Sequence, residues 1–398
     1  MNLDFLPSSS PEHPGLVIRD PYHFSDAVLI VPPLLVECLQ NFNGARTDLD
    51  LRAMLVARTG QLDVGGLQQH LIDTLSKAGF LEDETYQRME EQRRQEFRDL
   101  PVRMPAHAGS GYPDDAGELK QTMATYLANG TPQPGNPDLI GIAAPHVSPE
   151  GGWKSYQAAY GALGPEYRDR TFVILGTSHY GTPEKFGLTR KRFATPFGEA
   201  ECDTRLVNWL ADRAPASIEM EDYCHSFEHT IEFQVVFLQS IYGPTVKILP
   251  VLCGSFAQSI YDGGKPEKDD AVKAFFDALG ELNDREGKAL FWVLGVDMAH
   301  MGVRYGDGFQ AFANAGEMSA VAARDQARID RINAADADGF WGLVQENRDD
   351  LKWCGSAPFY TFLKSVPGAR GTLGRYEQWN IDEQSVVSFA GMSFRASR

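Results

Sequence analysis

Apolar positions follow two different rhythms along this chain. Near the start the runs are short. Val17-Ile18 and the stretch Ala27 to Val31 flank a polar turn and predict a hairpin. Pro32-Pro33 then opens a helical pattern through Leu34, Leu35, Cys38 and Leu39, which Asn43-Gly44 breaks. Residues 48–59 place Leu51, Met54 and Leu55 on one helical face, and residues 64–78 do the same with Leu67, Leu71 and Leu75. Gly79 marks the end of that helix and Phe80-Leu81 closes the unit. Residues 84–99 are mostly charged and polar and read as an exposed connecting helix.

Beyond Pro105 the period changes. Continuous apolar runs of strand length occupy 139–144, 172–175, 246–251 and 290–296. Unbroken apolar character predicts strands buried on both faces, hence a mostly parallel sheet. Helical patterns fall between and after them, at 154–163, 204–211, 231–241, 270–279, 311–332 and 337–345. The expected fold is α/β, a mostly parallel sheet with helices on both faces, preceded by a small winged-helix-like domain. The expected boundaries are 1–83 for the small domain, 84–104 for a charged connector and 105–398 for the α/β domain.

Charge narrows the choice of partners. Lys and Arg number 37 against 54 Asp and Glu, giving a formal charge of -17. Such a surface repels phosphate backbones and anionic lipid, so nucleic-acid and membrane binding are set aside. Arg52, Arg58 and Lys77 are isolated among acidic residues, so no basic recognition helix emerges in the small domain. The opening residues have neither the basic flank nor the apolar core of a secretory signal. No stretch reaches the roughly 18 apolar residues of a membrane span. The five cysteines are scattered without a Cys-x-x-Cys pair, which fits reduced thiols in a cytoplasm.

Chemistry gathers at the ends of the strand-like runs. His146 follows the run ending at Ala144, His179 follows Leu175 through Gly176-Thr177-Ser178, and His300 follows Asp297 after the fourth run. In an open parallel sheet the carboxyl ends of strands share one edge, where ligands bind. One such histidine alone reads as a cap or a core residue. Three from separate strands point to convergence, and imidazole is the commonest metal ligand. His229 and Glu232 lie three apart at a helix start and share a face. They read equally as a helix first turn or as groups that orient ligands and move protons. Cys224-His225 reads as structural. Cys354 precedes the helix that Pro358 opens, where the helix terminus is expected to lower a thiol pKa. It reads either as a small buried side chain or as a functional thiolate.

Several ordered stretches resemble the Memo-like proteins, whose prokaryotic members are called AmmeMemoRadiSam system protein B. They are His107 to Pro113, Ala144-Pro145-His146, Leu175 to His179, Glu228 to Glu232, Asp297 to Gly302, Cys354-Gly355 and Ser385 to Gly391. The resemblance implies a fold similar to class III extradiol dioxygenases. It implies metal ligation by His146, His179 and Cys354, with Asp297, His300 and His229 as the catalytic groups beside the ion. His300 would act as acid or base and Asp297 would orient it. Fe(II) is the favoured ion, with Cu(I) and Zn(II) compatible with a thiolate-bearing set. The implied activity is iron- or copper-dependent redox chemistry; a zinc-type hydrolase and a non-enzymatic scaffold are the alternatives. The small domain is similar to the PqqD-like peptide chaperones, implying a peptide ligand. Radical-SAM and AMMECR-type proteins are the implied partners. Gly111, Tyr180, Ser356 and Ala357 depart from the family's usual residues, so pocket contacts differ while the ligand positions are kept.

Overall fold

The computed structural model describes residues 3–8, 10–127 and 138–396. Its contacts divide the chain into two compact units, Met1–Asp99 and Leu100–Arg398. In the first unit, strands Asp4–Pro7, Leu16–Arg19 and Val28–Val31 form an antiparallel sheet. Helices Asp48–Thr59 and Gly65–Lys77 pack Leu51, Leu55, Leu71 and Leu75 into one core with Ile18, Val31 and Phe80. Thr47 caps the former helix through a reciprocal bond with Asp50. The strand Asp4–Pro7 had no alternating signal and is recruited by pairing with Leu16–Arg19. The charged helix Glu84–Asp99 packs within this unit. Tyr86 meets Phe24 edge-on at 6.1 Å, and the Arg94 guanidinium lies over the same ring at 5.2 Å.

The second unit is built on a 12-stranded sheet. Its centre runs Leu139–Ala144, Leu290–Gly295, Thr171–Thr177, Lys247–Cys253, all parallel. Alternate residues face opposite layers. Phe172 and Ile174 enter one core, with helices Ala116–Leu127, Pro149–Tyr160 and His229–Tyr242. Val173 and Leu175 enter the other, with Thr204–Arg213, Asp270–Glu286, Glu317–Asn333, Ala337–Gln345 and Ser356–Ser365. The continuous apolar runs thus serve two cores at once. An antiparallel hairpin, Arg370–Asp382 and Ser385–Arg395, extends the sheet beside Leu139–Ala144. Only its motif-bearing second strand drew notice in the sequence.

Two local differences have physical causes. The helix expected over 311–332 begins only at Glu317, because Gly316 adopts φ 54° and breaks the preceding chain. The helix expected over 231–241 begins at His229 because the Glu228 side chain caps it. No helix among the described residues is long and apolar enough to cross a membrane, and all five cysteines are free thiols.

Candidate metal centre

Three central strands deliver the chemistry at their carboxyl ends. Leu139–Ala144 leads to His146, Thr171–Thr177 to His179 and Leu290–Gly295 to Asp297 and His300. The helix His229–Tyr242 lies across these ends. Thr230 Oγ1 donates to the Thr177 carbonyl at 3.0 Å, and Gln234 Nε2 donates to the Pro145 carbonyl at 2.8 Å. Two glycines allow that approach. A Cβ on Gly176 would stand 2.4 Å from Thr230 Oγ1, and one on Gly295 would stand 2.3 Å from the Thr230 carbonyl oxygen.

Cys354 arrives from a distant segment, in the turn before Ser356–Ser365. Thr177 Oγ1 donates to its carbonyl at 2.9 Å, and Gly355 N–H donates to the Asp297 carbonyl at 3.0 Å. These bonds seat its sulfur 3.2 Å from His146 Nε2. His146, His179 and Cys354 form a group able to hold a metal ion, one ligand atom from each lying within 4.8 Å of the others. His146 is buried, Cys354 half-buried and His179 exposed, so the group opens to solvent on the His179 side.

The hydrogen bonds assign the imidazole tautomers. A carbonyl or carboxylate only accepts, so a ring nitrogen facing one must carry the proton. His146 Nδ1 donates to the Gly295 carbonyl at 3.0 Å. His179 Nδ1 donates to the Glu228 carboxylate at 3.1 Å. In the neutral form each ring therefore presents an unprotonated Nε2, as a ligand must, and each is oriented by its other nitrogen. This donor set fits a transition metal with soft thiolate and imidazole preference.

Glu228 is the residue that the sequence reading underused. It accepts the backbone N–H of His179, His229 and Thr230 at 3.0, 2.9 and 3.3 Å, and its Oε1 lies 3.1 Å from His229 Nδ1. Burial opposes its charge, but His179 and His229 outweigh that and hold the carboxyl well below its usual range. The same contact raises His179 against the effect of its packed surroundings. His146 falls well below the ordinary imidazole value through burial and the nearby His179 and His229. Glutamate is not a favoured N-cap residue, so no local signal marked it.

His229 stacks parallel on His179, with centroids 5.2 Å apart, and meets His146 edge-on at 5.1 Å. His107 supports it edge-on at 5.5 Å and donates from Nε2 to the Phe227 carbonyl. Glu232 takes no part in this cluster. It pairs with buried Arg103, accepts the Tyr112 hydroxyl and takes the N–H of Ala106 and His107 at 3.1 and 3.0 Å. Sharing a helical face with His229 did not bring the two to one task. His225 is buried, donates toward the Gly187 carbonyl and is pushed down to about 4 by burial.

Two expected roles come out differently. Asp297 does not hydrogen-bond to His300 among the described contacts. Its Oδ1 accepts His146 N–H at 2.9 Å, its Oδ2 lies 3.6 Å from His146 Nε2, and burial pushes its carboxyl up to about 7. His300 is instead fixed by the Met298 and Lys352 carbonyls at 2.9 and 3.1 Å, and burial lowers it to about 4. It is therefore neutral at pH 7, with Nε2 as an acceptor. Cys354 lies before the helix whose N-cap is Gly355, yet its pKa is well above the usual thiol value. Burial and the Asp297 and Glu228 carboxylates overcome the helix terminus, so a stable thiolate here calls for a cation.

The chain is similar to known proteins over most of its length. A family model described as Memo-like protein matches residues 103–393. A MEMO1 family protein of Aquifex aeolicus is 26% identical over 95% of each chain, so the likeness takes in most of the first unit. A MEMO1 family protein of Desulfurococcus amylolyticus is 25% identical over 74% of this chain and 99% of its own. The crystal structure of protein JW3007 from Escherichia coli K12 aligns at TM-score 0.38 and 11% identity, covering 64% of this chain and 99% of its own. With the matched stretch running from Arg103 to Ser393 and spanning every residue of the His146–His179–Cys354 group, this chain belongs to the Memo-like family.

Proposed function

We propose that the protein binds one transition-metal ion through His146 Nε2, His179 Nε2 and Cys354 Sγ and carries out redox chemistry on a substrate entering from the His179 side. Fe(II) is the favoured ion, ahead of Cu(I) and Zn(II). The observation that carries this reading is the convergence of His146 Nε2, His179 Nε2 and Cys354 Sγ within 4.8 Å of one another, with both rings oriented through Nδ1. When bound, iron or copper at such a site supplies one-electron chemistry and vacant coordination positions.

The remaining residues divide the protein's share of the work. Glu228 keeps His179 in the ligating tautomer and the Gly295 carbonyl does so for His146. His300 Nε2 is available to take a proton from substrate, because both carbonyls at Nδ1 fix the other nitrogen as the donor. Asp297, poised near pH 7, can hold or release a proton beside His146. Radical-SAM and AMMECR-type partners, a peptide ligand for residues 1–83 and a cytoplasmic setting belong to the same reading; the scattered thiols support the setting.

Elemental analysis of anaerobically prepared protein tests the site. The wild type should carry close to one equivalent of iron or copper, and Cys354→Ala should lose most of it. Equal content in both would remove Cys354 from the ligand set. Oxygen uptake or superoxide reduction that disappears in His146→Ala supports the redox reading. Zinc with turnover in the absence of oxygen would replace it with hydrolysis. Peptide or protein binding that survives loss of all three ligands, with no turnover, would leave a scaffold.

A further inference from the structure

The helix Glu317–Asn333 buries two charged side chains three residues apart, Asp325 and Arg328, and both act on the residue before Cys354. Asp325 Oδ1 accepts the indole N–H of Trp353 at 2.6 Å. Arg328 lies over the Trp353 ring at 5.2 Å and donates to Asp349 Oδ1 at 2.8 Å. Asp349 Oδ2 in turn accepts the Trp353 backbone N–H at 3.0 Å. Trp353 is thus held at its ring, its indole nitrogen and its backbone. The loop it ends is costly to form, since Asn347, Arg348, Asp349 and Lys352 all have φ between 52° and 56° without being glycine.

Asp325 has a second arm. Its Oδ2 accepts the hydroxyls of Ser388 at 2.6 Å and Tyr376 at 2.7 Å. Ser388 Oγ accepts the N–H of Ala299 at 2.8 Å, its backbone N–H donates to the Ala299 carbonyl, and its carbonyl accepts Met298 N–H. Those residues lie between Asp297 and His300. One carboxylate therefore fixes the segment that delivers the thiol and the segment that delivers the proton acceptor. A buried carboxylate is expensive relative to an apolar residue, and single-conformation specificity is a use that could retain it.

We propose that Asp325 is a positioning residue for the metal centre, acting on Cys354 through Trp353 and on the Asp297–His300 segment through Ser388. This rests on the metal-site reading above. Co(II) titration of the full chain, followed by the thiolate-to-cobalt absorption band, tests it. The wild type should bind with that band; a wild type that takes up no Co(II) would overturn the metal-site reading itself. Given wild-type binding, Asp325→Asn should weaken Co(II) affinity roughly 10- to 100-fold. Trp353→Phe, which keeps a ring but loses the indole N–H, should shift or weaken the thiolate band. Trp341→Phe is the control: it is as buried as Trp353, and its indole N–H bonds to Ser259 Oγ at 2.8 Å and toward the Gly264 carbonyl, not to Asp325. A structural role alone would make the two tryptophan variants alike in affinity and band, with Tm lowered in each. That result, or wild-type Co(II) binding in Asp325→Asn, overturns the proposal. Should Asp325→Asn fail to fold, the comparison of Trp353→Phe with Trp341→Phe decides it.

Discussion

Replacing Glu228 with glutamine tests the site at its most connected atom pair. The carboxylate accepts three backbone N–H groups and lies within 3.1 Å of the Nδ1 atoms of His179 and His229. The amide oxygen of glutamine best replaces Oε1, which caps the His229–Tyr242 helix. Its NH2 then replaces Oε2 and faces the backbone N–H and Nδ1 of His179. One buried donor left unpaired costs about 1–3 kcal/mol, and weakening the charged cap adds about 1 kcal/mol. The expected loss is about 3 kcal/mol, or roughly 5 °C in Tm for a unit the size of Leu100–Arg398. His179 Nδ1 lies 3.1 Å from both carboxylate oxygens, so the amide NH2 competes with the amide oxygen there and raises the share of the wrong tautomer, with the proton on Nε2; metal affinity should fall roughly 10-fold or more.

The metal-free protein adds a pH signature to Glu228→Gln. Glu228 is held below its ordinary value of 4.5, so its contribution is present above that pH and lost as pH falls through the folded value. His179 is raised above 6.5, so its contribution is complete below that pH and lost as pH rises through the folded value. The difference between wild type and Glu228→Gln should therefore be widest between those limits and shrink on both sides. Urea unfolding across pH, with and without Co(II), measures it. A pH-independent difference, or wild-type Co(II) affinity in the variant, would refute the assigned role of Glu228.

Other substitutions probe separate links. In metal-free protein Asp297 is pushed up to about 7 from 3.8, so its contribution is complete below about pH 3.8 and lost as pH rises through about 7. Asp297→Asn should gain on wild type by on the order of 2–4 kcal/mol between pH 5 and 8, read by urea unfolding; parallel stability curves would count against it. Gly176→Ala should cost about 1–3 kcal/mol by forcing Thr230 and Ile231 aside, and should weaken Co(II) binding by displacing the helix that carries Glu228. Unchanged Tm and affinity would show that the helix start yields freely. Arg103→Met should cost about 3–5 kcal/mol by leaving Glu232 buried and unpaired, with part restored by adding Glu232→Gln. If the second change restores nothing, the uncompensated charge is not the source of the loss.

The site was legible where chemistry sits close to a strong local pattern. His146, His179, Asp297 and His300 each follow a continuous apolar strand run, and strand ends share an edge in a parallel sheet. Family likeness then supplied the pairing with Cys354. Local pattern also gave the two layers of helices, since a run such as Phe172-Val173-Ile174-Leu175 has no polar face to offer water. Where it failed, a partner distant in sequence had decided the outcome. A thiol before a helix reads as activated, yet burial beside Asp297 and Glu228 raises it. Asp297 reads as the partner of His300 from three positions away, yet its carboxylate grips His146 across the strand edge.

Residue order alone determined the four central strands of the large sheet and most of the helices, and which side chains those strands carry to one edge of the sheet. Periodicity is a local property, and burial on two faces leaves its mark in every run. Tertiary structure alone decided the protonation and orientation of each group. Arg103, Glu228 and Asp325 have no local signature of function, because a buried charge is defined by what surrounds it. Their partners lie scores of residues away, and folding is what brings donor to acceptor.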